Sequence, residues 1–220
     1  MFTDPTTPNL ADFNAYALAQ GVPTTSIPSG SLSGLVIETS GAATGTTSGS
    51  VQAGQVLVGT DVPAGSYVTA WSGTSGTVAP PPIVQVSASS AQTYSQYVAW
   101  ALNYALQVAL PGPGIGGGLA GFAGQYVIAV YNLGMHQLLK IGQDGTNQTF
   151  FAQIRTQFKL TSLVPGPVLA SGDQATSETL LLPDFFKGLT LSQLDLLKTP
   201  YGRDYLGYAQ DYGPTIVGVS

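Results

Sequence analysis

The spacing of apolar residues changes its rhythm twice along the chain. Leu10, Phe13, Ala17 and Leu18 recur at helical intervals, and Asn9 ahead of them is a residue type that caps helices through its side-chain oxygen. This predicts a short helix from Leu10 to Gln20, ended by Gly21 and Pro23. From Gly30 to Ser90 the pattern becomes short β-type runs among Gly, Ser and Thr. These are Leu35 to Ile37, Val51 to Val58, Tyr67 to Trp71, Thr77-Val78 and Ile83 to Val86. Turn signals at Val62 to Gly65 and at Ser72-Gly73 separate them. The runs are too short and too closely spaced for βαβ units, so they predict a small antiparallel meander or sandwich. A flexible linker suits Gly41 to Gly49, but not the branched and aromatic positions after Val51.

After Ser90 the rhythm is helical again. Ser90 is a candidate cap for a helix from Ala91 to Leu110, with Tyr94, Val98, Ala101, Ala105 and Val108 along one face. The run Pro111 to Gly118 breaks it, and a second helix is expected from Leu119 to Ile141. Phe150 to Leu160 reads as a short helix or strand, and Val168 to Leu182 as extended chain. Thr190, with Gln193 three residues on, forms a capping box for a helix to Lys198. Pro200 opens a last helix, which runs to about Tyr212 and is closed by Gly213-Pro214. The expected class is α+β: a helical bundle core of about four to five helices, an inserted small antiparallel β module and an extended C-terminal arm. Residues 1–29 give the N-terminal helix, 30–90 the β module, 91–214 the main helical domain and 215–220 the arm.

Composition narrows the function. Only 8% of residues are charged, against about 25% in an ordinary soluble domain. The absence of Cys excludes disulfide scaffolds, thiol nucleophiles and cysteine-ligated metal sites. A net charge of −5 argues against gripping nucleic-acid phosphates. The 44% hydrophobic and 10% aromatic content argues against disorder. Met1 to Pro8 carries Asp4 and two prolines without a basic region, so no signal peptide is expected. The charges are also segregated: every base lies between Lys140 and Arg203, and none of the residues from Val62 through Leu139 carries formal charge. Such a stretch is buried in lipid, covered by protein, or coated with uncharged polar side chains.

Each candidate chemistry has a plainer competitor. Leu119 to Ile141 is long enough to span hydrocarbon, yet Gln125, Asn132 and His136 line one side of it, which favours a buried amphipathic helix. Gly112 to Gly117 matches the G-x-G-x-x-G spacing, but a helix precedes it and Pro113 removes an amide, so a loop is the better reading. His136 is the single histidine; Ser and Asp are plentiful, but no nucleophile elbow accompanies them, and a structural role is preferred. Asp173 with Glu178, or Asp204 with Asp211, offer paired carboxylates for glycoside hydrolysis; the second pair is more simply a solvated helix face. Tyr201, Tyr205, Tyr208 and Tyr212 make a stripe at helical spacing beside Arg203 and Asp204. That stripe is either a core face with phenols at its wet edge or an aromatic interface anchored by Tyr and Arg. The apolar tail residues Ile216, Val217 and Val219 suit docking by strand addition.

The run Lys198-Thr-Pro-Tyr-Gly-Arg-Asp-Tyr-Leu206, with Ala209-Gln-Asp-Tyr-Gly213, resembles the C-terminal signature of head–tail adaptor (neck, or head-completion) proteins of tailed bacteriophages. Gln125 to Leu139 resembles the long core helix of that family, and Phe13-Asn-Ala-Tyr with Gly21-Val-Pro its opening. The resemblance implies a virion subunit forming a homo-oligomeric ring, commonly a dodecamer, between the portal protein and the tail or a further neck protein. Double-stranded DNA would pass through without specific binding, and no enzyme activity, cofactor, metal or membrane is implied. Tyr201, Arg203, Asp204, Tyr205, Tyr208, Tyr212, Ile216, Val217 and Val219 are the expected ring or portal contacts. The chain departs from the family in its segment from Gly30 to Ser90. There, Val56 to Thr69 resembles β modules of phage and bacterial surface proteins. Tyr67 and Trp71 would be its contact residues, in an alternative reading as a surface or decoration module binding host glycan or another virion protein. A small hydrolase is the third reading.

Overall fold

In the computed structural model the described residues are 3–109, 123–162, 170–172, 177–179 and 190–212. Helix α1 (Leu10–Ala19) starts where Asn9, in extended conformation, accepts the Asp12 amide at 2.8 Å. The Asp12 carboxylate in turn accepts from the Thr3 and Asp4 amides, the Thr3 hydroxyl and the Asn9 side chain, pinning the N-terminal segment to the first turn. Gly21, at φ +92, turns the chain out of the helix.

Six strands follow: β1 (Ser29–Ile37), β2 (Ala42–Gly49), β3 (Val56–Gly59), β4 (Tyr67–Ser72), β5 (Ser75–Ala79) and β6 (Val86–Tyr94). They close into an antiparallel barrel in the order β1-β2-β5-β4-β3-β6, because β6 pairs with β1 along one edge and with β3 along the other. Leu32, Leu35, Ile37, Leu57, Val78, Ala88 and Ala91 fill a separate apolar core, while the Ser and Thr positions of the same strands mostly face water. Closure leaves no free sheet edge, which a Gly/Ser/Thr-rich sheet with short strands would otherwise expose.

This overturns the expectation of a helical bundle core with a small inserted β module. The fold is rich in β-barrel, and the barrel stands beside the helices with its own interior. The physical reason lies in residues that read as turns and linker. Gly41 to Gly49, which suits a flexible linker, contains the whole of β2, in register with β1 from Ser33↔Thr46 to Gly30↔Gly49. At Gly30 a Cβ would come within 2.9 Å of the Ser50 carbonyl oxygen, so this glycine permits close backbone approach. The helix expected from Ala91 also begins later. Ala91 to Tyr94 complete β6, and the helix starts at Gln96 because the non-local pairing to both β1 and β3 outweighs the local helical spacing.

The described helices after the barrel are α2 (Gln96–Val108), α3 (Ala123–Ile141), α4 (Phe150–Gln157), α5 (Leu191–Leu196) and α6 (Pro200–Tyr212). A two-stranded antiparallel pair, β7 (Ala170–Gly172) with β8 (Ser177–Thr179), lies in the segment expected to be extended. Phe150 onward is helical, which settles the choice left by its sequence. Helix α3 is the hub and packs against α1, α2, α4 and α6. Phe13, Val98, Leu102, Val130, Tyr131, Leu133, Leu138, Phe151 and Leu206 form the shared core. Phe13 stacks at 5.6 Å on Tyr131 and lies over Gly134, where a Cβ would meet its ring at 2.8 Å. The capping box at Thr190 forms as expected. The Gly-rich break from Pro111 to Gly118, Asp173 and the arm 215–220 lie outside the described residues.

Candidate functional site

Of the three polar residues expected along one side of α3, Asn132 and His136 point into the protein and Gln125 is exposed. Asn132 accepts the Tyr16 hydroxyl at 2.6 Å. His136, 2% exposed, has its Nδ1 2.8 Å from Thr199 Oγ1 and its Nε2 3.6 Å from Asp195 Oδ2. Thr199 Oγ1 accepts the Gly202 amide at 3.0 Å, capping α6. Asp195 is a carboxylate that can only accept, which favours the ring proton on Nε2 facing it, and Nδ1 then accepts the Thr199 hydroxyl proton. Lys140 and Lys198 both pair with Asp195, the latter at 2.9 Å. Burial holds the His136 imidazole down to about 4; Asp195 opposes this, and the two lysines reinforce it. Burial alone would raise the Asp195 carboxyl, but hydrogen bonds from Lys140 and Lys198 outweigh that and hold it below the usual range.

A hydroxyl, an imidazole and a carboxylate in sequence have the composition of a nucleophilic triad, but the arrangement here is a latch. Thr199 is fully buried and its oxygen already caps a helix, so no substrate carbonyl can reach it. The network ties α3, α5 and α6 together. Among the described residues there is no group of three or more His, Asp or Glu placed to hold a metal ion, and no helix long and apolar enough to cross a membrane.

The tyrosine stripe divides in the same way. Tyr205 is buried, its hydroxyl donating to the Val108 carbonyl at 3.4 Å, and its ring lies 6.5 Å from that of Tyr208. Tyr201 is half-buried and donates to Gln20 at 3.3 Å, closing α6 onto the end of α1. Arg203 and Asp204 are exposed on the outward face, with Arg203 donating to the Leu197 carbonyl at 3.0 Å. Asp204 and Asp211 border a shallow groove of about 270 Å³ that Gln125, Ile128, Ala129 and Asn132 of α3 also line. Ile216, Val217 and Val219 lie outside the described residues, as does the side chain of Tyr212.

On the barrel, Tyr67 and Trp71 sit at opposite ends of β4, with a register shift between Val68 and Ala70 separating them. Trp71 folds over Gly76, where a Cβ would strike its ring at 2.3 Å, and its indole donates to the Gly73 carbonyl at 3.0 Å. It packs on the barrel core and presents little free face. Tyr67 is 44% exposed and opens instead onto a groove of about 450 Å³ between the barrel and α2. The groove is lined by Leu10, Val56, Tyr67, Gln96, Trp100 and Asn103. Sequence reasoning passed over the α2 residues, although Gln96, Trp100 and Asn103 stand at i, i+4 and i+7, one stripe of a helix. Trp100 is 53% exposed and is held edge-on by Tyr97, ring centres 5.7 Å apart. Comparison with protein-family models, curated proteins and solved structures gives no match to this chain.

Proposed function

We propose that the chain is a structural virion subunit that assembles into a ring between portal and tail, extends the DNA channel and provides the tail attachment surface. The observation that carries this reading is a set of exposed apolar side chains on α2 and α3. Leu106 and Val108 at the end of α2 and Ile128 on α3 are each 40% exposed or more, within a stretch free of formal charge from Val62 through Leu139. Covering a half-exposed Leu, Val or Ile is worth about 1 kcal/mol each, and neighbouring copies in a ring supply that cover repeatedly. The resemblance of Lys198 to Leu206 to the adaptor signature supports the same reading, and the outward Arg203 and Asp204 give each copy one charge of either sign for its neighbours. The net charge of −5 suits a channel that passes DNA without holding it.

The test is the mass and shape of the purified full chain by light scattering and negative-stain imaging. A closed ring, near twelve copies, is expected. Leu106→Lys with Ile128→Lys should return it to smaller species with unchanged helical circular dichroism. A homogeneous monomer at every concentration, together with tailed and full virions in its absence, refutes the assignment.

A further inference from the structure

We propose that the groove between the barrel and α2 binds a neutral oligosaccharide, a role separate from ring formation and resting on different residues. Two flat aromatic side chains, Tyr67 from β4 and Trp100 from α2, are exposed in one groove, and Tyr97 fixes the Trp100 ring from its edge. A pyranose has one face of C–H groups that such rings cover and a rim of hydroxyls that need both donors and acceptors. Gln96 and Asn103 flank Trp100 on the same helical stripe, and each amide offers both kinds of group. Among the described residues neither side chain is engaged in a hydrogen bond.

The backbone shapes the walls. Gly54, at φ +86, lets the barrel close onto the Gln96 amide, where a Cβ would stand 3.4 Å from its Oε1. Gly65, at φ +83 and with open space where a Cβ would point, lines the groove from the β3–β4 loop. A second, more polar hollow of about 480 Å³ adjoins through the shared Gly54 and Gln96 and continues toward Gln52, Gln143 and Gln148.

The lining selects the ligand class. Among the described residues that line the aromatic groove, none but Tyr67 has an ionisable side chain, so a charged ligand finds no counter-charge among them. Asp144 in the adjoining hollow accepts the Phe151 and Ala152 amides at the start of α4. A purely apolar ligand would strip water from two amides without replacing its hydrogen bonds. A proline-rich peptide presents carbonyl acceptors but few donors, which leaves the amide oxygens of Gln96 and Asn103 unmatched.

The chain has two tryptophans, so the full-length Trp71→Phe variant reports on Trp100 alone. Its fluorescence is titrated with maltotetraose, cellotetraose and chitotetraose, with a proline-rich peptide and a sialylated glycan as comparison arms. Saturable change with at least one neutral tetrasaccharide is expected. In the same background Tyr67→Ala should weaken it about tenfold while Tyr67→Phe, which keeps the ring, retains it. No saturable response up to about 10 mM of any of the three sugars overturns the proposal, as does a response unchanged by Tyr67→Ala or one given only by the peptide or the charged glycan. Circular dichroism checks that the variants fold, and the mass measurement reads the ring independently, so the two readings fail separately.

Discussion

Two glycines five residues apart on α6 should answer the same substitution with opposite signs. At Gly202 an added Cβ would stand 2.1 Å from the Leu196 carbonyl oxygen, 2.8 Å from its carbon and 2.9 Å from its Cα. These are backbone atoms of α5, held in place by the buried Leu196 side chain and by the Thr199 cap, so no rotamer change relieves the clash. Overpacking of this kind costs about 1–3 kcal/mol, here at the upper end, while alanine returns about 1 kcal/mol of helix propensity. The net for Gly202→Ala is a loss of about 2 kcal/mol. At Gly207 a Cβ meets nothing within 4 Å, so Gly207→Ala keeps only the propensity gain of about 1 kcal/mol. For a chain of this length each kcal/mol moves the melting temperature by about 2–4 °C. Thermal unfolding followed by far-ultraviolet circular dichroism should therefore show Gly202→Ala lowered by about 4–8 °C and Gly207→Ala raised by about 2–4 °C. A Gly202→Ala protein as stable as the parent would mean that α5 does not press on α6, and the account of the glycine in Thr199-Pro-Tyr-Gly-Arg203 would fall.

Protonation of His136 should weaken the fold. Burial holds its folded value at about 4 against 6.5 for a free imidazole, so the unfolded chain takes up the proton first. Stability is complete above pH 6.5 and falls as the pH drops through the interval from 6.5 to 4, by about 3 kcal/mol in all; urea unfolding at stepped pH measures it, and a flat profile, or one unchanged in His136→Gln, contradicts the assignment. Asp12→Ala removes the acceptor shared by Thr3, Asp4 and Asn9 and should cost about 2 kcal/mol, with earlier hydrogen exchange at the Thr3 and Asp4 amides; unchanged exchange there would count against the pinned N-terminus.

What the sequence made legible was local. The Asn9 cap, the Thr190 capping box, Pro200 at a helix start and the turn at Val62 to Gly65 each depend on residues within one turn of each other, and each forms. Barrel closure was not legible, because it depends on β6 meeting β3 and β1 across tens of residues. Its interior contrast is also weak: Ala88 and Ala91 face inward three positions apart, between Ser and Gln residues that face out. A period-2 search therefore finds little in Val86 to Tyr94, and a helical search finds a false start at Ala91. The groove divides along the same line. Tyr67 stands out as an aromatic among turn residues, but its partner Trp100 is on a helix that the barrel must close to approach. Trp71, equally prominent in sequence, covers Gly76 instead.

The charge-free stretch has a sharper meaning once the direction of α3 is known. An ordinary surface helix turns its polar side to water and its apolar side inward. On α3 Asn132 and His136 are inside, held by Tyr16 and Thr199, while Ile128 faces out at 47% exposure, with Gln125 and Lys140 the other exposed residues among those described. Asp204 and Asp211 of α6 and Gln125 and Asn132 of α3 line the same groove as Ile128, so this exposed apolar side chain stands among polar neighbours. An exposed apolar side chain with polar neighbours is the arrangement of a protein contact. It also predicts where the contact is most sensitive. Ile128→Lys replaces the apolar side chain with a charge, whereas Asp204→Asn changes only a polar neighbour, so the first should dissociate the assembled ring and the second should slow its assembly mainly at low salt. Equal effects from both would place the contact elsewhere.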